Sequence, residues 1–370
     1  MGLLQVSSFV AGEWIAPGSG ARSIENAVTG EVMATAGNNA LDSQAMLDYA
    51  RNTGGAALRN MTFHDRARML KALATYLNER KQQLYDLSFN TGATQSDNMI
   101  DIDGGIGTMF VFASKGRREM PDALVYQDGD LEQLSRNGSF LGQHIYTPMR
   151  GVAVHINAFN FPVWGMLEKL APTLLAGMPA IVKPATSTCY VAEACVRMML
   201  ESGLLPKGAV QLVSGGLGDM LDRLKTQDAV AFTGSADTAL MLRSAPNIVE
   251  NGIRFASEQD SLNASILGPD AKPNTPEFDL FIKEVSREMT AKAGQKCTAI
   301  RRIIAPEDCQ QAIIDALSVR LGKTTIGDPR SEGTRMGALV SNGQRQDVLK
   351  KAALIGTEAD CVFGDPDRFD

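Results

Sequence analysis

The middle of the chain alternates short apolar runs with helical runs, and this pattern restricts the fold more than any other feature. The apolar runs, rich in Val, Ile and Ala, are predicted strands at residues 152–156, 180–183, 210–213, 229–232 and 253–256. Helices are predicted between them, at residues 162–175, 191–200, 219–224 and 238–242. Strands that alternate with helices in this way form βαβ units around a buried parallel sheet.

Polar residues stand at or directly after the end of each predicted strand. They are residues 157–160, 183–186, 214–216 and 233–235, followed by Glu258. Ligands of parallel sheets bind beyond the carboxyl ends of the strands, where the chain turns into the next helix. Polar clusters at five successive strand ends therefore predict a binding site along one edge of the sheet.

One cysteine, Cys297, stands between a predicted helix that starts near Phe281 and an apolar, strand-like run at residues 303–305. Ala293-Gly294 is expected to end that helix, since Gly opens backbone conformations that other residues avoid. A thiol on a tight turn can be exposed to a cleft, as a nucleophile must be. For one cysteine considered alone, burial in the core is the commoner explanation.

The flanking regions have simpler patterns. Residues 1–40 predict small strands separated by Gly and Pro, and residues 42–120 predict helices, one of them capped by Thr62 and Asp65. Residues 126–147 predict a hairpin that turns at residues 136–139. After Ser261 a second α/β unit is expected, with helices at 308–321 and 343–353 and a strand at 361–363.

Composition excludes several classes of function. The formal net charge is −6 with mixed signs, so no nucleic-acid partner is expected. No apolar run has the length of a membrane span, and the first residues lack the pattern of a signal peptide. The 5 cysteines show no paired or metal-like spacing, which predicts no metal site and a reducing, cytoplasmic location.

The polar clusters, taken together, resemble the aldehyde dehydrogenase superfamily. The matching motifs are Asn157-Ala-Phe-Asn160-Phe-Pro162, Lys183-Pro-Ala-Thr186, Phe232-Thr-Gly-Ser235, Glu258 and Gly294-Gln-Lys-Cys297. The resemblance implies an α/β fold: a Rossmann-like parallel sheet with a second α/β catalytic domain whose C-terminal part is missing. It assigns residues 1–125 and 148–257 to an NADP-binding domain, 126–147 to an oligomerisation hairpin and 258–370 to the catalytic domain.

The resemblance also implies catalytic roles for three residues. Cys297 would attack the aldehyde carbonyl, and the Asn160 side chain with the Cys297 backbone N–H would stabilise the oxyanion. Glu258 would act as the general base that activates water. The alternative reading makes Asn160 a turn residue before Pro162 and Glu258 a solvated charge. Each alternative is plausible alone, whereas all of them together in this order are improbable.

For the cofactor, the resemblance implies NADP, with NAD as the second choice. Many family members have Glu where this chain has Thr186, and a carboxylate there would repel a 2′-phosphate. Lys183 would contact the adenosine ribose, and Ser235 would lie at a helix N-terminus suited to the pyrophosphate. The implied cofactor-binding residues are Ile156, Phe159, Lys183, Ala185, Thr186, Gly215, Gly218, Phe232, Thr233, Gly234 and Ser235.

The chain departs from the family pattern in places. Gln259-Asp260 replaces the usual Gly pair after the glutamate, and Ala239 replaces the second glycine of the phosphate turn. The family's later motif, whose glutamate holds the nicotinamide ribose, is expected beyond residue 370. We therefore expect a fragment that does not turn over by itself and whose full-length form is a homo-oligomer.

The finer resemblance is to the dehydrogenase part of the bifunctional ring-opening proteins of bacterial phenylacetate degradation. It extends to Asp101–Thr108 and Trp164–Pro172. It implies a CoA-linked aldehyde, 3-oxo-5,6-dehydrosuberyl-CoA semialdehyde, and a hydratase domain in the full-length chain. The alternatives are a 3,4-dehydroadipyl-CoA semialdehyde dehydrogenase of benzoyl-CoA oxidation and a non-catalytic binding or structural relative. A CoA-acylating enzyme is disfavoured because Glu258 serves hydrolysis.

Overall fold

The computed structural model of the protein describes residues 2–37 and 41–365. The chain forms two compact units. The first comprises residues up to Ile24, Ala34–Leu84 and Ile100–Gln259, and the second comprises Glu25–Met33, Tyr85–Met99 and the residues from Asp260 onwards. The predicted domains differ from these units: residues 25–33 and 85–99 group with the second unit, and the hairpin groups with the first.

A seven-stranded sheet forms the centre of the first unit. Five of its strands are parallel: β8 (Ala153–Ile156), β9 (Ala180–Lys183), β10 (Val210–Leu212), β11 (Ala229–Gly234) and β12 (Arg254–Gln259). A hairpin of β2 (Ser8–Val10) and β3 (Glu13–Ile15) joins the edge at β10, antiparallel to it. The strand order is β12-β11-β8-β9-β10-β2-β3. The predicted parallel sheet is therefore confirmed.

The helices of the sheet also follow the predicted alternation. They are α6 (Trp164–Leu175), α7 (Cys189–Glu201), α8 (Ala236–Arg243) and α9 (Pro246–Glu250). The sheet strands contribute Val154, Ile181, Val230 and Phe232 to one buried apolar cluster. The helix predicted at 219–224 is wrong in type, because only a 3-10 turn forms, at Met220–Arg223. Leu224 is already extended, which limits this segment to one turn.

Short strands and helices of varied length precede the parallel strands in the chain, as predicted. Strands β1 (Leu4–Val6), β4 (Arg22–Glu25) and β5 (Val32–Ala36) form a second small sheet. The helices are α1 (Ser43–Tyr49), α2 (Gly55–Arg59), α3 (Phe63–Ser88), α4 (Gln95–Asn98) and α5 (Gly104–Arg118). Asp65 N–H donates to Thr62 Oγ1 at 3.1 Å while Thr62 N–H donates to the Asp65 carboxylate at 3.0 Å. This reciprocal pair is the predicted cap of α3.

The predicted hairpin is also confirmed. Strands β6 (Tyr126–Gln133) and β7 (Leu141–Tyr146) pair antiparallel, from Tyr126 opposite Tyr146 to Gln133 opposite Leu141. The turn between them contains Gly138 at φ 71°, a left-handed conformation that glycine adopts without strain.

The second unit contains parallel strands β13 (Asn263–Ile266) and β14 (Ile300–Ile304) with helices α10 (Pro276–Thr290), α11 (Gln310–Leu321) and α12 (Asn342–Ile355). Helix α10 begins earlier than predicted because Thr275 caps it, accepting from Phe278 N–H, and Pro276 occupies its first turn. The strand predicted at 361–363 is wrong, since these residues pair with no strand in the part of the chain that the structure describes. These residues instead line a cavity of about 710 Å³ beside α11.

Within residues 2–37 and 41–365, no helix is both long and apolar enough to cross a membrane.

Candidate active site

Cys297 is an exposed residue of a tight turn between α10 and β14. The Ala299 N–H donates to the Lys296 carbonyl at 3.1 Å, which closes the turn around Cys297. Asn263 Nδ2 donates to the Cys297 carbonyl at 2.6 Å, and the Ser261 hydroxyl donates to the same oxygen. The backbone of the cysteine is thus fixed by side chains from the neighbouring strand, and its side chain can be approached by a substrate.

Three residues of the segment between α10 and Cys297 have a left-handed backbone conformation. Lys292, Ala293 and Gly294 have φ values of 52°, 53° and 73°. Two of them are not glycine, so this conformation costs energy and persists only where surrounding contacts enforce it. The Lys292 N–H donates to the buried carboxylate of Asp97 at 2.7 Å, and Lys292 Nζ donates to Thr91 Oγ1 at 2.8 Å.

Gln295 holds the next part of the loop. Its side chain is buried, with Nε2 donating to the Lys292 carbonyl at 3.0 Å and Oε1 accepting from Val340 N–H at 3.0 Å. Lys296 forms an ion pair with Glu288 of α10 at 2.6 Å. Gln295 and Lys296 of the motif Gly294-Gln-Lys-Cys297 therefore fix the segment directly before Cys297.

The other cysteines show what the ordinary buried thiol looks like in this chain. Burial raises the pKa of Cys189 to about 12 and raises that of Cys195 still further. Cys309 is buried too, whereas Cys361 is exposed. Since the thiolate is the nucleophile, Cys189 and Cys195 are unsuited to attack. Cys297 combines exposure with a constrained turn.

Asn160 lies in the first unit, in the loop between β8 and α6. Its Oδ1 accepts from the adjacent Phe161 N–H at 3.1 Å, which is the turn role expected of such a residue. Its amide NH₂ has no hydrogen-bond partner in the described ranges. The turn role and a donor role are therefore compatible in one side chain.

Asp101 anchors this loop; it begins a segment of the finer resemblance, but sequence analysis predicted no role for it. Its buried carboxylate accepts from the N–H groups of Val163 and Trp164, at 3.1 and 2.7 Å. These are two of the first N–H groups of α6, which have no partner within the helix. No local pattern predicts this contact, because Asp101 is 62 residues from Val163 in the chain.

Glu258 lies inside strand β12 and not in a loop after it. The strand extends to Gln259 because β11 is also longer than predicted, and the two pair from Ala229–Arg254 to Gly234–Gln259. Glu258 is opposite Thr233 and exposed. No ion pair or hydrogen bond of its side chain occurs within the described ranges. Asn160 and Glu258 belong to the first unit and Cys297 to the second.

The predicted cofactor residues divide into two groups in the first unit. Lys183, Thr186 and Gly215 line a cavity of about 360 Å³ at the carboxyl ends of β9 and β10. Ala185 directly precedes the 3-10 turn that starts at Thr186, and Gly218 has φ 57° in the loop after β10. Arg22 also lines this cavity, and sequence reasoning missed it.

The second group surrounds the end of β11. Ser235 caps α8, accepting from Thr238 N–H at 3.3 Å. Gly234 packs so closely on the Phe232 ring that a Cβ would lie 2.6 Å from it. Thr233 Oγ1 is buried without a partner in the described residues. Ile156 on β8 is buried beside Phe232, and Phe159 is half-buried in the following loop. Ser235 therefore lies at a helix N-terminus, the end of a helix that stabilises anions, and pyrophosphate binding there stays a prediction.

These residues fit a dinucleotide. The cavity at Lys183 has no acidic side chain among its described lining residues, and its floor includes glycines that permit close approach of a ligand. Lys183 lacks a hydrogen-bond or ion-pair partner in the described part of the chain. A cation that is largely buried without a counter-charge favours an anionic ligand.

Comparisons with known proteins give the class. The profile of the Aldehyde dehydrogenase family matches residues 14–368. The chain belongs to the aldehyde dehydrogenase family. It is 44% identical over 366 residues to a 3,4-dehydroadipyl-CoA semialdehyde dehydrogenase of Aromatoleum evansii, covering 98% of this chain and 71% of the relative. It is 26% identical over 348 residues to an alpha-ketoglutaric semialdehyde dehydrogenase of Bacillus subtilis, covering 92% and 68%.

Solved structures confirm the predicted fold. A betaine aldehyde dehydrogenase of Staphylococcus aureus, in complex with NAD+, matches with a TM-score of 0.80 at 23% identity, covering 96% of this chain and 68% of that one. An oxidoreductase from Marinobacter aquaeolei matches with a TM-score of 0.81 at 22% identity, covering 98% and 74%.

Proposed function

We propose that the protein oxidises a CoA-linked semialdehyde to the carboxylic acid, with Cys297 as nucleophile. The observation that carries the proposal is the exposed Cys297 turn, held by Asn263, Gln295 and Asp97 in a chain of this family. A thiol that only filled space would be buried, as Cys189 and Cys195 are.

The proposed chemistry starts at the aldehyde carbon. Cys297 Sγ bonds to it as a thiolate, and the carbonyl oxygen becomes an oxyanion. The Asn160 NH₂ and the Cys297 N–H donate to that oxygen. A bound NADP would supply the acceptor for the hydride that leaves the same carbon, and the carbon bonded to Cys297 Sγ would then be a thioester. Glu258 takes a proton from water, whose oxygen attacks the thioester; the C–S bond breaks, releasing the acid and the Cys297 thiolate.

We propose NADP as the preferred cofactor and NAD as the weaker one. Lys183 and Thr186 line the same cavity, which supplies a positive charge and a hydroxyl where many relatives would place a carboxylate. In this proposal Ile156, Phe159, Ala185, Gly218 and the residues 232–235 hold the rest of the cofactor.

Two CoA-linked semialdehydes, which differ in the acyl chain, are candidates for the substrate. The finer sequence resemblance favours 3-oxo-5,6-dehydrosuberyl-CoA semialdehyde. The 44% identity to a protein named for 3,4-dehydroadipyl-CoA semialdehyde favours the shorter one. Both are CoA thioesters with an aldehyde at the far end, so we propose that class. Measuring kcat/KM for each of the two CoA-linked semialdehydes would show which acyl chain is preferred. Measuring it for the corresponding semialdehydes without CoA would show whether the CoA group is recognised.

We also propose that the hairpin of β6 and β7 pairs with a second copy of the chain. Six large apolar side chains are exposed on it: Leu131, Leu134, Phe140, Leu141, Ile145 and Tyr146. Exposed apolar groups on an isolated two-stranded sheet are typical of a contact surface. Oligomeric mass measured by light scattering for Leu131→Lys/Ile145→Lys would test this. A hydratase domain in the full-length chain and a cytoplasmic location stay predictions.

The test of the main proposal is Cys297→Ala, with Cys361→Ala as the matched removal of an exposed thiol. Because the sulfur forms the covalent intermediate, Cys297→Ala should lose aldehyde oxidation while it still binds NADPH. Cys361→Ala should retain the parent rate. Turnover at the parent rate by Cys297→Ala would contradict the proposal.

A further inference from the structure

The cavity at the ends of β9 and β10 contains a second positive charge that no family motif includes. Its described lining includes Arg22, Lys183 and Thr186. Arg22 is the first residue of β4, more than a hundred positions before Lys183 in the chain. The fold brings the two cations to one cavity of about 360 Å³.

Arg22 and Lys183 face this cavity without counter-charges. Neither side chain has an ion pair or a hydrogen bond in the described part of the chain, and the described lining contains no Asp or Glu. Burial lowers the pKa of Lys183, and the positive charge of Arg22 lowers it further, while Cys189 opposes the shift. Two cations that repel each other across a cavity are stabilised when an anion enters it.

Resting on the proposed NADP preference, we infer that Arg22 binds the 2′-phosphate of the cofactor together with Lys183 and Thr186. A phosphate monoester carries nearly two negative charges at neutral pH and three acceptor oxygens. The guanidinium of Arg22 can donate two parallel hydrogen bonds to such a group, and Thr186 can donate its hydroxyl. Arg22 is exposed, so it lies at the mouth of the cavity, where it can meet the incoming ligand.

The experiment compares adenosine 2′,5′-bisphosphate with adenosine 5′-phosphate by isothermal titration calorimetry. These two probes differ only in the 2′-phosphate. The variants are Arg22→Gln, Arg22→Lys and the control Arg136→Gln, which removes an exposed arginine from the hairpin turn. Thermal unfolding of each variant establishes that it is folded.

Arg22→Gln should weaken binding of the bisphosphate about ten- to a hundred-fold, the range for loss of a charge-assisted hydrogen bond. It should change the Kd of the monophosphate by less than about two-fold. Arg22→Lys should restore part of the loss, and Arg136→Gln should match the parent. Equal effects on both nucleotides, or none, would overturn the role of Arg22 alone. Failure of the parent to bind either nucleotide would overturn this inference and the proposed cofactor site together.

Discussion

The Asp97 carboxylate accepts the backbone N–H of Lys292 at 2.7 Å, across 195 positions of sequence. Its other oxygen accepts from the N–H and the hydroxyl of Thr94, at 2.9 and 2.8 Å. One buried side chain therefore joins the start of α4 to the left-handed segment that leads to Cys297. Because both oxygens accept hydrogen bonds, the carboxylate cannot rotate without breaking some of them.

Asp97→Asn should destabilise the protein by about 1–3 kcal/mol, because one amide N–H must then face a donor in a buried site. Urea unfolding measures this as a lowered midpoint. Cys297 should also react faster with iodoacetamide below the unfolding transition, as its loop loses a constraint. Asp347→Asn, on the exposed face of α12, is the control. An unchanged midpoint would show that the contact makes no net contribution to the free energy of unfolding.

Two glycines of α5 should respond oppositely to alanine. A Cβ on Gly105 would lie 2.9 Å from Trp164 Cα, against backbone that cannot yield cheaply, whereas a Cβ on Gly107 would meet nothing within 4 Å. Gly105→Ala should therefore cost about 1–3 kcal/mol. Gly107→Ala should stabilise by about 0.5–1 kcal/mol, since alanine is the better helix former. The midpoints of thermal unfolding of the two variants, compared with the parent, measure these changes. Equal shifts of the two midpoints would refute the packing argument.

Glu258→Gln should separate the two half-reactions of the proposed mechanism. Without a base, water attacks the thioester slowly, so the reaction should give a burst of NADPH about equal to the enzyme and then slow turnover. Stopped-flow absorbance follows both phases. The exposed Glu250→Gln serves as control. Loss of the burst itself would place Glu258 in the first half-reaction instead.

Thr186→Glu should shift the cofactor preference from NADP towards NAD. It would introduce a carboxylate into the cavity at Lys183, and a like-charge contact at an effective dielectric near 20 costs roughly 4 kcal/mol. The ratio of kcat/KM values for the two cofactors measures this. Thr186→Gln is the matched control, because Gln has the same length as the introduced Glu but no charge. An unchanged ratio would mean that the preference is determined elsewhere.

His155 should make stability fall in acid. It is buried in β8, where burial lowers its pKa to about 3 and the charge of Lys169 adds to the effect. The unfolded chain takes up this proton near pH 6.5, so stability present above that pH is lost as the pH falls towards 3, by about 1.4 kcal/mol per unit. Urea unfolding between pH 7 and 5 should show a smaller slope for His155→Gln than for the parent. The same substitution at exposed His144 is the control.

Sequence reasoning was strongest where information is local. Strand β9 was predicted at its observed bounds, and Cys297 was placed on its turn, because apolar runs and glycines act within a few residues. Sequence reasoning failed where a residue far along the chain determines whether a strand forms or where it ends. The extension of β12 through Glu258 depends on β11, and the run at 361–363 has no strand beside it among residues 2–37 and 41–365.

The same limit explains the missed site residues. Asp97 and Arg22 belong to no motif, and the segment that begins at Asp101 does not show what that residue contacts, since each of the three acts on a group far along the chain. A lone Asp in a helical region and a lone Arg in a short strand are ordinary surface residues by every local criterion. Only the fold shows that two of them are buried and that the third faces a cavity.

The pairing of β2 with β10 has a consequence for how the protein is made. Phe9 is opposite Leu212, and the Gln211 side chain accepts from the Ala11 N–H at 2.9 Å and donates to the Met46 carbonyl at 2.9 Å. At ribosomal rates of about 5–20 residues per second, the partner strand is completed roughly 10–40 s after the first one. Strand β2 therefore leaves the ribosome long before its partner and enters the sheet only after most of this unit exists, and until then the edge of β2 that will pair with β10 stays open to other chains.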